Sequence, residues 1–162
     1  MTTQWPQITA LLLGLCLMGC GPSGLRPEQG ISSALQRSAE SRRWPSMGNR
    51  WLASIASRNG RERVELVNLR NGQPVPLPGI NQADAQPISV SVSADGNRIA
   101  LIRSRDGRTE LMLYRRGVGM LQRLPIEPAG VPREVSLDGS GRLLAVQVSR
   151  QGRWDVDLIR LP

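Results

Sequence analysis

The strongest constraint on the fold is a five-residue motif that occurs three times at nearly constant spacing. The copies are Ser57–Arg61, Ser104–Arg108 and Ser149–Arg153. The second begins 47 residues after the first, and the third 45 residues after the second. The aligned flanking positions are Leu52, Ile99 and Leu144 before the motif, then Val64, Leu111, Val156 and Leu66, Leu113, Leu158 after it. Because the flanks repeat as well, the chain is built from three similar units.

The centre of each motif predicts a tight β-hairpin. Asn59-Gly60 and Asp106-Gly107 suit a type I′ turn, whose two central residues need positive φ. The apolar residues that follow are spaced two apart, which places them on one face of a strand. A period in the forties is typical of four-stranded propeller blades. We therefore predict an all-β fold of three blades, at about 48–79, 87–126 and 132–162.

The second unit carries a family resemblance. Its residues Ser93-Ala94-Asp95-Gly96-Asn97-Arg98-Ile99-Ala100, Ser104-Arg105-Asp106-Gly107 and Leu111-Met112-Leu113-Tyr114 resemble the repeat of TolB-like β-propellers, which are related to WD repeats. The resemblance covers roughly 49–162 and implies a periplasmic interaction role, with partners such as peptidoglycan-associated lipoproteins in the case of TolB. The first unit departs from it, because Pro45–Gly48 replaces the Ser-x-Asp-Gly turn. The chain also lacks TolB's separate N-terminal domain, and closed propellers use about four to eight blades.

The third unit is predicted to be incomplete. A last strand equivalent to Met120–Leu124 would fall at 165–169, past Pro162. An unpaired strand edge invites pairing with another strand. Three candidates could cover it: the chain's own segment 31–46, a second copy that gives six blades, or another protein.

The N-terminus predicts export. Ile8–Gly19 is an apolar run that would span roughly 18 Å as a helix, short of the ~30 Å hydrocarbon core of a membrane. It is typical of a signal peptide. Leu17-Met18-Gly19-Cys20 resembles the lipobox of bacterial lipoproteins, which implies cleavage before Cys20 and a diacylglycerol on its thiol. An ordinary cleaved signal or an uncleaved anchor remains the alternative.

The predicted organisation is a signal peptide at 1–19, a lipidated tether at 20–47 and the repeats at 48–162. Within the tether, Ile31, Leu35 and Ala39 have the spacing of one short helix. We expect the mature protein to be lipid-anchored in the cell envelope. By resemblance to enteric lipoproteins, Gly21 rather than Asp after the cysteine favours the periplasmic face of the outer membrane over the inner membrane.

Composition argues against catalysis. The chain has no histidine and no lysine, and the predicted mature part has no free thiol, which removes Ser-His, Cys-His and Ser-Lys nucleophile systems. We therefore predict no enzyme activity, no cofactor and no metal site. The alternative is a carbohydrate-active enzyme that uses the carboxylate pair Asp155 and Asp157. Asp95 and Asp138 are predicted to be turn residues that bond to their own backbone.

All 21 basic residues are arginines, and the formal net charge is +8. The arginines at the hairpin tips are Arg58, Arg61, Arg105, Arg108, Arg150 and Arg153. On equivalent turns they would share one rim and present bidentate donors to phosphate or carboxylate groups. Export argues against nucleic acid, so the predicted partners are the membrane, an envelope protein, an anionic glycan or lipid, or a second copy. Trp51 and Trp154 are predicted to pack between blades.

The sequence thus predicts a membrane-anchored lipoprotein that binds an envelope component through propeller-type repeats. The alternatives are the carboxylate enzyme and a degenerate propeller fragment with a structural role.

Overall fold

A computed structural model describes residues 24–162 of the chain. The predicted signal peptide and lipidation site Cys20 lie outside the described residues. The elements are helix α1 Gln29–Gln36 and strands β1 Ser41–Met47, β2 Trp51–Arg58, β3 Arg61–Asn68, β4 Gln73–Val75, β5 Ala85–Val92, β6 Arg98–Arg105, β7 Arg108–Arg115, β8 Met120–Leu124, β9 Val131–Leu137, β10 Leu143–Arg150 and β11 Arg153–Arg160. Over residues 24–162, no helix has both the length and the apolar character needed to cross a membrane.

The strands form three antiparallel sheets, each built from consecutive segments of the chain. Blade 1 has the order β1-β2-β3-β4, blade 2 has β5-β6-β7-β8, and blade 3 has β9-β10-β11. The repeat period therefore corresponds to one sheet. This confirms the predicted all-β fold with a partial propeller and an incomplete third blade.

The three motifs form the tips of the β2–β3, β6–β7 and β10–β11 hairpins. At each tip two consecutive residues have positive φ: 52° and 76° at Asn59-Gly60, 49° and 71° at Asp106-Gly107, and 47° and 79° at Gln151-Gly152. These are the angles of a type I′ turn, whose twist matches that of the two strands it joins. The hairpins predicted from the motif are confirmed.

The core consists of two apolar layers between the blades. Between blades 1 and 2, the layer contains Ala53, Ile55, Val64 and Leu66 from one side and Val90, Val92, Ile99, Leu101, Met112 and Tyr114 from the other. Between blades 2 and 3, it contains Ala100, Ile102, Leu111 and Leu113 against Val135, Leu137, Leu144, Val146 and Val148. The central strand of blade 2, β6, is buried on both faces because blades 1 and 3 lie on either side of it, whereas β10 of blade 3 is buried on one face only.

Blade 1 obtains its first strand from upstream of the repeat. Residues 41–47, which composition assigned to the tether, form β1 and pair with β2 from Ser41↔Ser57 to Met47↔Leu52. This strand lacks alternating apolar residues; instead the guanidinium groups of Arg42 and Arg43 donate to Glu65 and Glu62 on β3, at 2.7 Å and 3.0 Å. The proposal that 31–46 covers the edge of blade 3 is wrong, because β1 belongs to blade 1.

Helix α1 caps the outer face of blade 1. Arg42 joins them, since its guanidinium donates to the Leu35 carbonyl oxygen at 3.1 Å as well as to Glu65. Arg63 on β3 bonds Glu40 at 2.9 Å. The helix spans Gln29–Gln36, so it includes Ile31 and Leu35 of the predicted spacing and ends before Ala39. This end of the array is therefore closed by a helix and a charged network.

Candidate interaction surface on the third blade

The outer face of blade 3 exposes apolar positions that are buried in the other two blades. Within each blade the strand after the motif carries two such positions. Their exposed fractions are 3 % and 0 % for Val64 and Leu66, 1 % and 0 % for Leu111 and Leu113, and 68 % each for Val156 and Leu158. The first two pairs are covered by the blade that follows. Among residues 24–162, no blade follows blade 3.

A repeated serine shows the same asymmetry. Ser46 and Ser91 lie at equivalent positions on the first strands of blades 1 and 2. Their hydroxyl oxygens accept hydrogen bonds from the next blade's first strand, from the Val92 N–H at 3.1 Å and the Leu137 N–H at 2.9 Å. The equivalent Ser136 in blade 3 is exposed. The outer face of blade 3 therefore has the polar and the apolar features of an inter-blade contact.

Trp154 extends this exposed surface. Its side chain is 61 % exposed, so the prediction that it packs between two blades is wrong within residues 24–162. Trp154 is exposed because it lies on the face of blade 3 that a following blade would cover. The prediction holds for Trp51, which is buried between blades 1 and 2 with the Arg116 guanidinium 4.3 Å from its ring centroid. We define the blade 3 outer face as Ser136, Ala145, Gln147, Trp154, Val156 and Leu158.

The outer edge of β11 lies beside this face. In the described part of the chain β11 pairs only with β10, whereas β3 and β7 each pair on both sides. A groove of about 600 Å³ follows this edge, lined by Pro125, Glu127 and residues 156–159. Its floor is thus the strand whose outer backbone groups are available for pairing.

The hairpin-tip arginines form cross-strand pairs. Arg58 lies opposite Arg61, Arg105 opposite Arg108, and Arg150 opposite Arg153. Like charges directly opposite each other destabilise a hairpin. The structure brings Arg61 and Arg105 of neighbouring tips to one pocket, while Arg150 and Arg153 line a separate one. Arg61 and Arg105 thus share one pocket, and the binding of an anionic partner by the tip arginines stays a prediction.

Acidic groups compensate these pairs unequally. Arg105 bonds Asp84 at 2.7 Å, and Arg150 bonds Asp157 at 3.0 Å. In residues 24–162, no carboxylate oxygen lies within 4.0 Å of the Arg58 or Arg61 guanidinium. Together with Arg63, Asn59, Asn81 and Gln82, these two arginines line a pocket of about 510 Å³. The blade 1 tip is the one whose opposed pair has no acidic partner on either arginine in this part of the chain.

Asp155 and Asp157 are ion-paired. Arg150 bonds Asp157 and lies 3.6 Å from Asp155, which is also 3.5 Å from Arg153. The hydrogen bond from Arg150 lowers the pKa of Asp157. A glycosidase general acid needs a raised pKa. The pair is therefore arranged as charge partners and not as an acid–base couple.

The turn aspartates have the structural role predicted for them. The Asp138 carboxylate accepts hydrogen bonds from the Ser140 hydroxyl and from the backbone N–H groups of Leu143 and Arg142, which lowers its pKa to about 2. Asp95 accepts from the Ser93 hydroxyl at 2.6 Å and the Asn97 N–H at 2.9 Å. Across residues 24–162, no group of three or more His, Cys, Asp or Glu is placed to hold a metal ion.

Comparison of the fold with solved structures points to propellers. The chain resembles TolB from Acinetobacter baumannii with a TM-score of 0.57 and 19 % identity, over 72 % of this chain and 29 % of that one. It resembles a TolB candidate from Agrobacterium tumefaciens with a TM-score of 0.59 and 14 % identity, over 75 % and 46 %. The β-propeller domain of the trilobed protease from Pyrococcus furiosus, described as having an open velcro topology, gives 0.51 and 13 %, over 76 % and 43 %.

These similarities establish the TolB-like propeller fold, and at such identities they establish the fold alone. The chain spans less than half the length of each of these proteins. Propeller domains of peptidases occur beside TolB among the matches. The sequence matches no protein-family model and no curated protein sequence.

Sequence reasoning identified the repeat but missed the blade 3 outer face. The signal was present, because Val156 and Leu158 align with core positions and belong to the unit that is predicted to lack its last strand. Reading the repeat as a series of interfaces, each needing a following blade, would have found it.

Proposed function

We propose that this chain is an exported, lipid-anchored binding protein that holds a protein partner on the blade 3 outer face. The observation that carries the proposal is the 68 % exposure of Val156 and Leu158 at positions that are no more than 3 % exposed in blades 1 and 2. Exposed contiguous apolar surfaces on soluble domains mark sites of interaction.

The energetics favour a protein partner over a small ligand. Covering a Val, Leu or similar side chain contributes roughly 1.5–3 kcal/mol each. Trp154 adds a large aromatic surface of the kind that dominates binding energy at interfaces. The face is a sheet surface bordered by the open groove along β11, which suits a strand or helix of another protein.

The proposed anchor places this face at a membrane. Diacylglycerol and a further acyl chain on Cys20 would hold the chain far more firmly than one acyl chain, which binds only marginally. The tether is then residues 20–28, because α1 and β1 belong to the folded part. We propose the periplasmic face of the outer membrane as the location.

Binding is favoured over catalysis by the state of the acidic residues. Both members of the one carboxylate pair proposed for chemistry are ion-paired with Arg150, which lowers the pKa of Asp157, and the chain has no histidine or lysine to act as a base. The propeller in this chain therefore serves as a scaffold.

A second contact, with an anionic envelope component, is favoured by the blade 1 tip. Arg58 and Arg61 face each other without acidic partners in the described part of the chain. A phosphate or carboxylate group between them would relieve the repulsion and accept bidentate hydrogen bonds. This contact would support the protein partner and would not replace it.

Site-specific photo-cross-linking in cells tests the main proposal. A cross-linking residue at Val156 should give one predominant adduct, identified by mass spectrometry, that disappears when Leu158→Glu is introduced. The matched control is Val118, which is 73 % exposed on the β7–β8 turn. Equal adducts at Val156 and Val118, or an adduct that survives Leu158→Glu, would show that the face does not hold a partner.

A further inference from the structure

We infer that the outer edge of β11 binds an extended segment of the partner protein, which adds to blade 3 as its fourth antiparallel strand. This inference rests on the proposed function and specifies how the partner is held. Strand addition to a free sheet edge is an established mode of peptide recognition, in which main-chain hydrogen bonds provide affinity and side-chain pockets provide specificity.

Blade 2 shows what such a strand looks like. Its fourth strand, β8, pairs antiparallel with β7, from Leu111↔Leu124 through Tyr114↔Leu121 to Arg115↔Met120. The repeat relates β7 to β11 by 45 residues. The added strand therefore lies opposite Val156 to Arg160, in the register that β8 has on β7.

The groove along β11 occupies, in blade 3, the place that β8 occupies in blade 2. In blade 2, the segment that follows blade 1 lies beside the start of β8. A Cβ on Gly119, the residue before β8, would lie 3.8 Å from Pro78, and the Tyr114 hydroxyl on β7 donates to the Pro78 carbonyl oxygen. Pro125 is the repeat equivalent of Pro78 and lines the groove beside β11. The side wall for a fourth strand is thus already in position.

The groove also selects the chemistry of the segment. In β8, Leu121 and Leu124 pack against the two core layers, while Met120 is exposed. Arg123 lies between them, 3.7 Å from Glu110. In blade 3, Asp155 is the repeat equivalent of Glu110. Asp157 is the repeat equivalent of Met112, the residue that lies opposite Arg123.

The matching segment therefore has apolar residues opposite Val156 and Ile159, with a basic residue opposite Asp157. Glu127, exposed at the groove wall, adds a third carboxylate to that position. Among residues 24–162, no basic group lies within 4.0 Å of the Glu127 carboxylate. Arg150 and Arg153 already pair with the two carboxylates of β11, so Glu127 is the group that attracts a basic side chain of the partner.

Charge also argues against a second copy of this chain at the edge. Antiparallel pairing of two β11 strands centred on Val156 would place Asp155 opposite Asp157. Like charges directly opposite each other destabilise a sheet. The occupant we infer is a different chain with a basic extended segment.

The first probe is a fluorescent peptide with the sequence of residues 117–126, added to the full chain purified in detergent and followed by fluorescence anisotropy. We expect saturable binding at one site. Two matched peptides carry N-methyl groups at alternate residues, one at the positions of Leu121 and Arg123, the other at those of Gln122 and Leu124. Because a strand bonds through one edge only, one of them should lose about tenfold or more in affinity while the other binds like the parent.

The charge contact is tested with the peptide whose arginine is replaced by glutamine. Its affinity for the wild-type chain should be about threefold or more below that of the parent peptide. The difference between the two peptides should be smaller for the Glu127→Gln chain, because this surface change removes the charge and leaves the Asp155–Asp157 network intact. Absence of saturable binding, equal binding of both N-methylated peptides, or a chain already dimeric through this edge in light scattering would overturn the inference. The proposed function would survive that result if the Leu158-dependent adduct at Val156 persists.

Discussion

Three leucines at one repeat position allow the blade 3 outer face to be tested with internal controls. Leu66 and Leu113 are 0 % exposed, and Leu158 is 68 % exposed. All three lie two residues after the first aligned apolar residue that follows the motif. Replacing Leu113 or Leu158 by alanine thus makes the same chemical change in the same strand context, differing only in whether a blade covers the side chain.

The structure sets the expected magnitudes. Leu113→Ala leaves a cavity in a close-packed layer, which costs about 2.7–5 kcal/mol of unfolding free energy. Leu158 is about one-third buried, so its truncation should cost roughly 0.5–1 kcal/mol, a third of the full burial of a leucine. With a urea slope of about 2 kcal/mol per M, the midpoint should fall by about 1.4–2.5 M for Leu113→Ala and by about 0.3–0.5 M for Leu158→Ala.

Urea unfolding of the full chain in detergent, followed by tryptophan fluorescence, measures these shifts, with far-UV circular dichroism as a second probe. Trp51, buried in the layer between blades 1 and 2, reports the opening of the array. A Leu158→Ala midpoint as low as that of Leu113→Ala would mean that the face is already covered in the isolated protein. That result would refute the argument from exposure.

Three further predictions concern a turn carboxylate, a turn glycine and the proposed lipid anchor. Asp138 has a folded pKa of about 2, below its unfolded value. Its contribution to stability is therefore present above about pH 4 and is lost as the pH falls towards 2. When the urea midpoint is measured at decreasing pH, it should fall less for Asp138→Asn than for the wild type. Gly107→Ala, at φ 71°, should lower the unfolding free energy by about 1–2 kcal/mol, whereas Gly117→Ala, which has open space and no positive φ, should change it by less than about 0.5 kcal/mol. Labelling of cells with radioactive palmitate should mark the wild type and Cys16→Ser but not Cys20→Ser, and label on Cys20→Ser would contradict the proposed anchor.

The architecture could be predicted from the sequence because the information was repeated. Three copies of one motif, with turn residues that tolerate positive φ and apolar residues two apart, specify a hairpin three times over. The structure has these hairpins at Asn59-Gly60 and its two counterparts. A single copy would have been ambiguous, and the agreement of the three identified the blades.

Features that rest on contacts between distant segments could not be predicted in this way. Strand β1 has no apolar alternation, and its place in blade 1 depends on Arg42 and Arg43 reaching acidic residues of β3. The arginine tips looked equivalent in sequence, yet Asp84 and Asp157 neutralise two of them and leave Arg58 and Arg61 without acidic partners over residues 24–162. Such pairings are properties of the folded neighbourhood and leave no periodic signal.

The two ends of the blade array differ in a way that bears on function. Repeat arrays need polar or covered ends to stay soluble, because each interior face is built to be buried by a neighbour. Blade 1 meets this need with α1 and with Arg42 and Arg63, which both pair with its buried carboxylate, Glu65. The same two arginines also pair with Glu40. Within the part of the chain that the structure describes, blade 3 has the apolar face of an interior blade, and the outer edge of β11 is unpaired. Over residues 24–162, the array is thus covered by α1 at one end and exposes Trp154 and Leu158 at the other, which is the surface where we propose that the partner binds.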